Sequence, residues 1–293
     1  MLVSCGREQG MDNILYVLER ADKFVYHYTK PQSLAKFLPT GHIRFSRFTC
    51  TNDPRECKDW KLGLWTPEGC KDFTYHEWKL LQIQASRLLR GNCRLFCATT
   101  DDHPAVGTGL DKIYGRGFCK PRMWDQYAAR HTGACLIIDR VRFDAQIRKA
   151  VSPDVVVHCG PVTYQNHSQV PSLSVDDPLI LNGDDVRLLG VSPAIHKHLT
   201  RYHREIFFQK PRDWADEREL RWLLHLLSDD ELYVPFGDSL AGIVITPDFP
   251  PEYRRAIANY ADAHLIEIGE LRWSNFSPEM VPSTLACVRA ARA

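Results

Sequence analysis

Lys210-Pro-Arg-Asp-Trp-Ala-Asp-Glu-Arg-Glu-Leu-Arg-Trp222 is the stretch on which the reading of this chain turns. Most of its residues are ionisable, yet it runs straight into Leu223-Leu224-His225-Leu226-Leu227, which has the character of core. Pro211 opposes a helix through the start, because its ring fixes φ and it has no N–H to donate. From Glu217 the pattern alternates. Arg218, Leu220, Trp222 and Leu224 fall on one side of a strand, and Glu217, Glu219 and Arg221 on the other. Asp213 and Asp216 read as turn residues leading into it. Over Glu217–Leu227, two carboxylates and a guanidinium then project together from a half-buried strand, which is unfavourable unless they are paired or used. The competing reading is a helix with Glu217 and Arg221 as an i,i+4 pair. The alternation through Trp222 and Leu224 favours the strand.

On the N-terminal side of this stretch, Asp184–Phe208 has helical periodicity with a break expected at Pro193. Residues 165–184 read as surface loop, Val155–Tyr164 as a strand and Phe143–Val151 as a helix. Ala134–Asp139 is a buried strand, preceded by a helix over Pro121–Arg130 and a glycine-rich loop over 100–120. Earlier still lie strands at Lys23–Tyr28, His42–Ser46 and Arg94–Thr99 and a helix over Asp72–Arg90, with a short helix over Asp12–Arg20. On the C-terminal side, strands are expected at Leu232–Pro235, Gly242–Thr246 and His264–Ile268, with a helix over Pro251–Ala263. These elements make an α+β chain, divided into an N-terminal extension (1–22), one domain (23–270) and a tail without pattern (271–293).

The 293 residues are 44% hydrophobic and 25% charged, as in a globule with a sizeable core. A formal charge of +1 gives no global field toward nucleic acid or membrane. Ten cysteines include no Cys-x-x-Cys. Cys93-x3-Cys97 and His131-x3-Cys135 have metal-like spacing, but scattered reduced thiols acting as small apolar residues are the simpler reading, and no metal site is expected. No apolar run of about 18 residues and no signal-peptide pattern is present, so a cytoplasmic chain without membrane association is expected. Phosphate-loop, dinucleotide-fingerprint, nucleophile-elbow and zincin motifs are absent.

Several constellations could carry chemistry. In Tyr26-His27-Tyr28-Thr29, His27 and Thr29 share one strand face and offer a donor and acceptor to a diol; a core histidine is the plain alternative. His42, Arg44 and Ser46 share a face, and Arg44 suits a phosphate or a solvated surface equally. Thr51-Asn52-Asp53-Pro54-Arg55-Glu56 reads as a loop staple closed by its own side chains. Trp124 and Tyr127, three apart and followed by Arg130-His131, form either core or a stacking platform.

Tyr-His-Tyr-Thr, Asn-Asp-Pro, Trp-x-x-Tyr-Ala with a following His-x-Gly, and Lys-x3-Trp-x2-Glu-x-Glu-x-Arg occur here in an order that resembles the bacterial family named domain of unknown function 2971, over roughly Phe24 to Thr246. A fainter similarity is to ADP-ribosyltransferases. That similarity implies a split mixed β-sheet with NAD, as substrate, in its cleft. By the same resemblance, His27 and Thr29 hold the adenosine ribose, and Arg44 or Ser46 the pyrophosphate. Tyr127 stacks on nicotinamide near Trp124 and His131. Glu219 bonds the 2′-hydroxyl of the nicotinamide ribose, Glu217 orients the acceptor, and Asn52, Asp53, Lys210 and Arg221 support them. That superfamily supplies its aromatic from a strand region, whereas here it comes from a helix.

The expected activity is therefore NAD-consuming ADP-ribosyl transfer or NAD hydrolysis, in the setting of a toxin or defence effector, with the acceptor open. Two other classes stand beside it. One is a metal-dependent hydrolase or nuclease using Glu217, Glu219, Asp53 and His27. The other is a non-catalytic regulatory module in which the charged strand is an ion-pair network.

Overall fold

The structure, a computed structural model, describes residues 23–58, 60, 62–66, 73–102, 111–166, 177–226 and 230–283. The helix expected over Asp12–Arg20 lies outside them. In chain order the elements are β1 (Phe24–Thr29), α1 (Pro31–Phe37), β2 (His42–Arg47), α2 (Pro54–Cys57), β3 (Gly63–Trp65), α3 (Tyr75–Gly91), β4 (Cys93–Thr99), α4 (Asp111–Tyr114), α5 (Pro121–Tyr127), β5 (Ala134–Asp139) and α6 (Arg140–Ala150). There follow β6 (Val157–Pro161), β7 (Thr163–Tyr164), β8 (Ile180–Asn182), α7 (Gly183–Leu189), α8 (Val191–Phe207), β9 (Gln209–Lys210), β10 (Glu219–His225), β11 (Leu232–Pro235), β12 (Leu240–Ile245), α9 (Pro251–His264), β13 (Glu267–Ser274) and β14 (Ser277–Pro282). The protein is α+β, as the pattern of elements implied. No helix among the described residues is long and apolar enough to cross a membrane.

Two compact units emerge. The first takes in the described parts of Met1–Ile43, Ala98–Ile147 and Pro235–Ala293. Its central strand β5 is buried at every position, which is why Ala134-Cys-Leu-Ile-Ile reads as an unbroken apolar run rather than an alternating one. β1 lies antiparallel to it, with Phe24 opposite Asp139 and Thr29 opposite Ala134. β12 flanks the other side antiparallel, and β13 joins β12 in parallel after the crossover through α9. β14 closes the sheet as an antiparallel hairpin with β13. Phe24, Tyr26, Tyr28, Phe118, Trp124 and Ile137 form the core of this unit.

The second unit comprises Arg44–Cys97 and Arg148–Val234 in their described parts. Here β2 pairs antiparallel with β4, Ser46 opposite Leu95, and β10 lies between β4 and β6. α3 starts at a capping box in which Thr74 and Glu77 satisfy each other's backbone N–H groups. It packs with α8 over a core of Phe48, Leu89, Leu95, Leu199, Phe207 and Leu223. Short parallel pairs, β3 with β8 and β7 with β9, complete the unit.

Several boundaries differ from expectation. The strand expected from Glu217 begins at Glu219, because Arg212–Glu217 forms a 3-10 helix that Arg218 ends with a left-handed φ of 43°. Glu217 is therefore not in the alternation of β10. The break expected at Pro193 lies at Gly190 (φ 84°) instead. Pro193 falls in the first turn of α8, where an N–H has no intrahelical partner to lose. The strand expected over Val155–Tyr164 divides into β6 and β7, and residues 165–184 contain β8. The helix expected through Arg130 stops at Tyr127, and Ala129, Arg130 and His131 follow with φ of 51°, 55° and 68°. The patternless tail is in part the β13–β14 hairpin.

Candidate functional site

Glu219 and Arg221, two apart on β10, project to one face. The Arg221 fork donates to Glu219 through Nε and, at 3.2 Å, through Nη2. Its Nη1 donates to the Phe207 carbonyl at the end of α8. Lys210, from β9, places Nζ 2.7 Å from Oε2 of Glu219 and 2.7 Å from Oε2 of Glu217. The 3-10 turn that removed Glu217 from the strand is what aims it at Lys210, so the two carboxylates meet through a cation rather than along a strand face. Lys210 also sits 5.1 Å from the ring centroid of Trp214.

A third carboxylate comes from far along the chain. Asp53 caps α2 by accepting from the Arg55 N–H at 2.9 Å, and Pro54 follows at the first helical position, where its missing N–H costs nothing. The loop-staple reading of Asn52-Asp53-Pro54 describes what Asp53 does, while Asn52 is exposed. The turn so fixed turns Glu56 inward onto Arg221 Nη2. Arg90 of α3 holds the same turn, donating through Nη2 to the Glu56 carbonyl at 2.9 Å. Neither Glu56 carboxylate oxygen has an aligned hydrogen bond, so its contact with Arg221 is an ion contact only. Glu56, Lys210, Glu217, Glu219 and Arg221 are all at most 5% exposed.

Burial alone would raise the pKa of Glu219, but the charges of Arg221 and Lys210, with Arg221's hydrogen bonds, hold it down at about 2. Glu56 goes the other way. Its burial outweighs Arg221 and Lys210 and leaves its pKa raised. Burial opposes the charge of Lys210, and Glu219, Glu217 and Glu56 outweigh burial, so Lys210 stays protonated well beyond its ordinary range. Cys97, beside Glu219, is a partly buried thiol whose pKa is pushed up by desolvation. The site thus holds one carboxylate fixed as the anion and one biased toward the acid, sharing a single guanidinium. The backbone of Glu219 is anchored as well, its N–H donating to Tyr164 Oη at 2.8 Å and its carbonyl accepting from Val162 N–H at 2.9 Å.

Other expected site residues lie elsewhere. Arg44 and Ser46 are exposed on β2, and Arg44 pairs at 3.1 Å with Glu231, both about half exposed. His27, Thr29, Trp124, Tyr127 and His131 belong to the first unit. His27 is half-buried on β1 opposite Leu136, and Thr29 is buried opposite Ala134. Trp124, read as either core or platform, has the placement of core. It is 0% exposed, donates through Nε1 to the Phe118 carbonyl at 2.7 Å and meets Tyr28 edge-on at 5.2 Å. Tyr127 is partly buried against the same core. His131 ends the left-handed run, and its carbonyl accepts from Thr246 Oγ1.

Glu56, Arg90 and Tyr164 were not singled out from sequence. Glu56 had a readable signal: a capping Asp-Pro fixes which way the third residue beyond it points. Among the described residues, no group of three or more His, Cys, Asp or Glu side chains is arranged to hold a metal ion. Between Glu217 and Glu219, the place a divalent cation would take is filled by Lys210 Nζ. No family model matches the chain, and no curated protein or solved structure is significantly similar to it.

Proposed function

We propose that the chain cleaves the nicotinamide–ribose bond of NAD and passes ADP-ribose to an acceptor or to water. The observation that carries this reading is the pair Glu56 and Glu219. They are two carboxylates from distant motifs on one guanidinium, with acidities driven apart in opposite directions. Glycosidic cleavage passes through an oxocarbenium-like state, which a fixed anion stabilises. Glu219 supplies that anion. Nicotinamide departs with the bonding electron pair on its ring nitrogen, as a neutral molecule needing no proton. Glu56, as the more basic carboxylate, takes the proton of the attacking hydroxyl or water. Lys210 and Arg221 hold Glu219 ionised and aimed.

The burial of the cluster sets a requirement. In this reading the segment 51–57, tied to the cluster through Glu56 and Arg90, shifts to admit substrate while Glu56 stays within reach of the attacking hydroxyl or water. By the same reading the sheet is the split mixed sheet of ADP-ribosyltransferases, and Arg44 can leave its exposed pair with Glu231 for a phosphate, since such pairs are weak. A toxin or defence role suits an NAD-consuming activity. A second reading is favoured by that same burial: the cluster is an ion-pair node without substrate, inside a regulatory module. The test is nicotinamide release from NAD by purified protein and by Glu219→Gln, with circular dichroism as the folding check. Release that vanishes in the folded variant supports catalysis, and no release from the wild type leaves the structural node.

A further inference from the structure

A cleft of about 320 Å³ opens in the second unit between β6, the end of α8 and β9, at the lower end of the range for small-molecule sites. Its position follows from register. In the antiparallel pair β10–β6, Arg221 lies opposite Gly160 and Leu223 opposite His158. Directly opposed residues project to the same face, their Cα atoms about 4.5–5.5 Å apart. His158 and Gly160 therefore share the face of Glu219 and Arg221, one strand farther out. Gly160 presents no side chain there, and a Cβ at that position would stand in ordinary contact with the Phe208 ring, 3.8 Å away.

The walls have a definite chemistry. His158 and His203 stack with centroids 3.7 Å apart and planes inclined by 22°, and Phe208 meets His203 edge-on at 6.1 Å. This aromatic stack lines the cleft. Desolvation, then the neighbouring His203, His196 and Arg204, pulls the His158 pKa down to about 4, so its ring is neutral at physiological pH. The cleft is also lined by Gln209, whose Oε1 is buried without a hydrogen-bond partner. An acceptor in that state gains from a turn of its side chain that brings it to an N–H in the cleft. Gln209 precedes Lys210, and Phe208 follows the carbonyl that Arg221 holds, so the cleft and the ion cluster share backbone.

We infer that this cleft is a binding site for a planar nitrogen heteroaromatic bearing an exocyclic amide or amino N–H, which lies against the His158–His203 stack and donates to Gln209 Oε1 once that side chain turns into the cleft. NAD contains two groups of this chemistry, the nicotinamide carboxamide and the adenine amine. Binding here does not require that NAD be cleaved.

The test is an NMR titration of the full chain with nicotinamide and, separately, with adenosine, following the imidazole C–H signals of His158 and His203. Saturable shifts of both histidines with at least one probe are expected, and which probe produces them identifies the source. Gln209→Leu weakens the affinity severalfold to about tenfold. The inference is overturned if neither probe moves these signals, or if Gln209→Leu binds as well as the wild type. The titration is independent of turnover. Histidine shifts without nicotinamide release would refute the NAD-cleaving reading and keep the cleft, and release without histidine shifts would do the reverse.

Discussion

Arg221 is 0% exposed and neutralises two carboxylates that reach it from different parts of the chain. Removing the cation strands them both. Arg221→Met is expected to lower unfolding stability by about 3–5 kcal/mol, the usual result of breaking a buried pair on one side. Glu56→Gln is expected to cost about 1 kcal/mol or less, because burial already disfavours its charge and neither oxygen has an aligned hydrogen bond. Urea denaturation of the two variants checks this ordering. Equal losses would mean that Glu56 is held as firmly as Glu219. At this scale, Glu219, Arg221 and Lys210 were legible in the sequence because they crowd one short stretch. Glu56 lies more than 150 positions upstream of that stretch, and only the Asp53 cap hints at its direction.

At the scale of elements, alternation identified β10 correctly from Glu219 onward and failed just before it, at Glu217 and Arg218. Local backbone preference decided those. Pro211 and the acidic residues after it favour a tight 3-10 turn, which ends in the left-handed Arg218. The tail shows the same kind of failure. Asn275 and Phe276 form the two-residue loop between Ser274 and Ser277 with φ of 48° and 67°, a conformation that Asn-Gly advertises and Asn-Phe hides. Phe276 is 97% exposed, and its described hydrogen bond is through its backbone carbonyl, which accepts from Tyr114 Oη. Phe276→Gly is therefore expected to raise stability by about 1 kcal/mol, read as an increase in Tm. A fall in Tm would mean that the aromatic ring contributes more than the left-handed backbone costs. Gly190 displaced the expected break from Pro193 for a related reason: a proline is at ease in a first helical turn, whereas a left-handed glycine ends one.

Over the whole molecule, the α+β class was legible from apolar runs that mark β1, β4, β5 and β12, and the charged stretch did mark where ionisable groups gather. Sequence could not show that the gathering is sealed from solvent or that a cleft lies beside it, since both depend on which strands pair. Charge burial also fixes the response to pH. His158 and His225 are each depressed from 6.5 to about 4, chiefly by burial, so the unfolded chain binds more protons than the folded one between those values. Stability is expected to fall as pH drops from about 6.5 to 4. It then falls again from about 4.5 toward 2 as the Glu219 anion is lost, whereas the raised Glu56 acts above about 4.5 and opposes part of the first loss. Thermal unfolding across this range checks the sign, and a Tm that rises on acidification to pH 5 would contradict it. The central claim is catalytic, and nicotinamide release from NAD tests it most directly. The wild type is expected to release nicotinamide in proportion to time and protein, and a folded Glu219→Gln to lose at least about 100-fold in rate. A wild type that releases none, or a Glu219→Gln variant that keeps the full rate, would contradict the account.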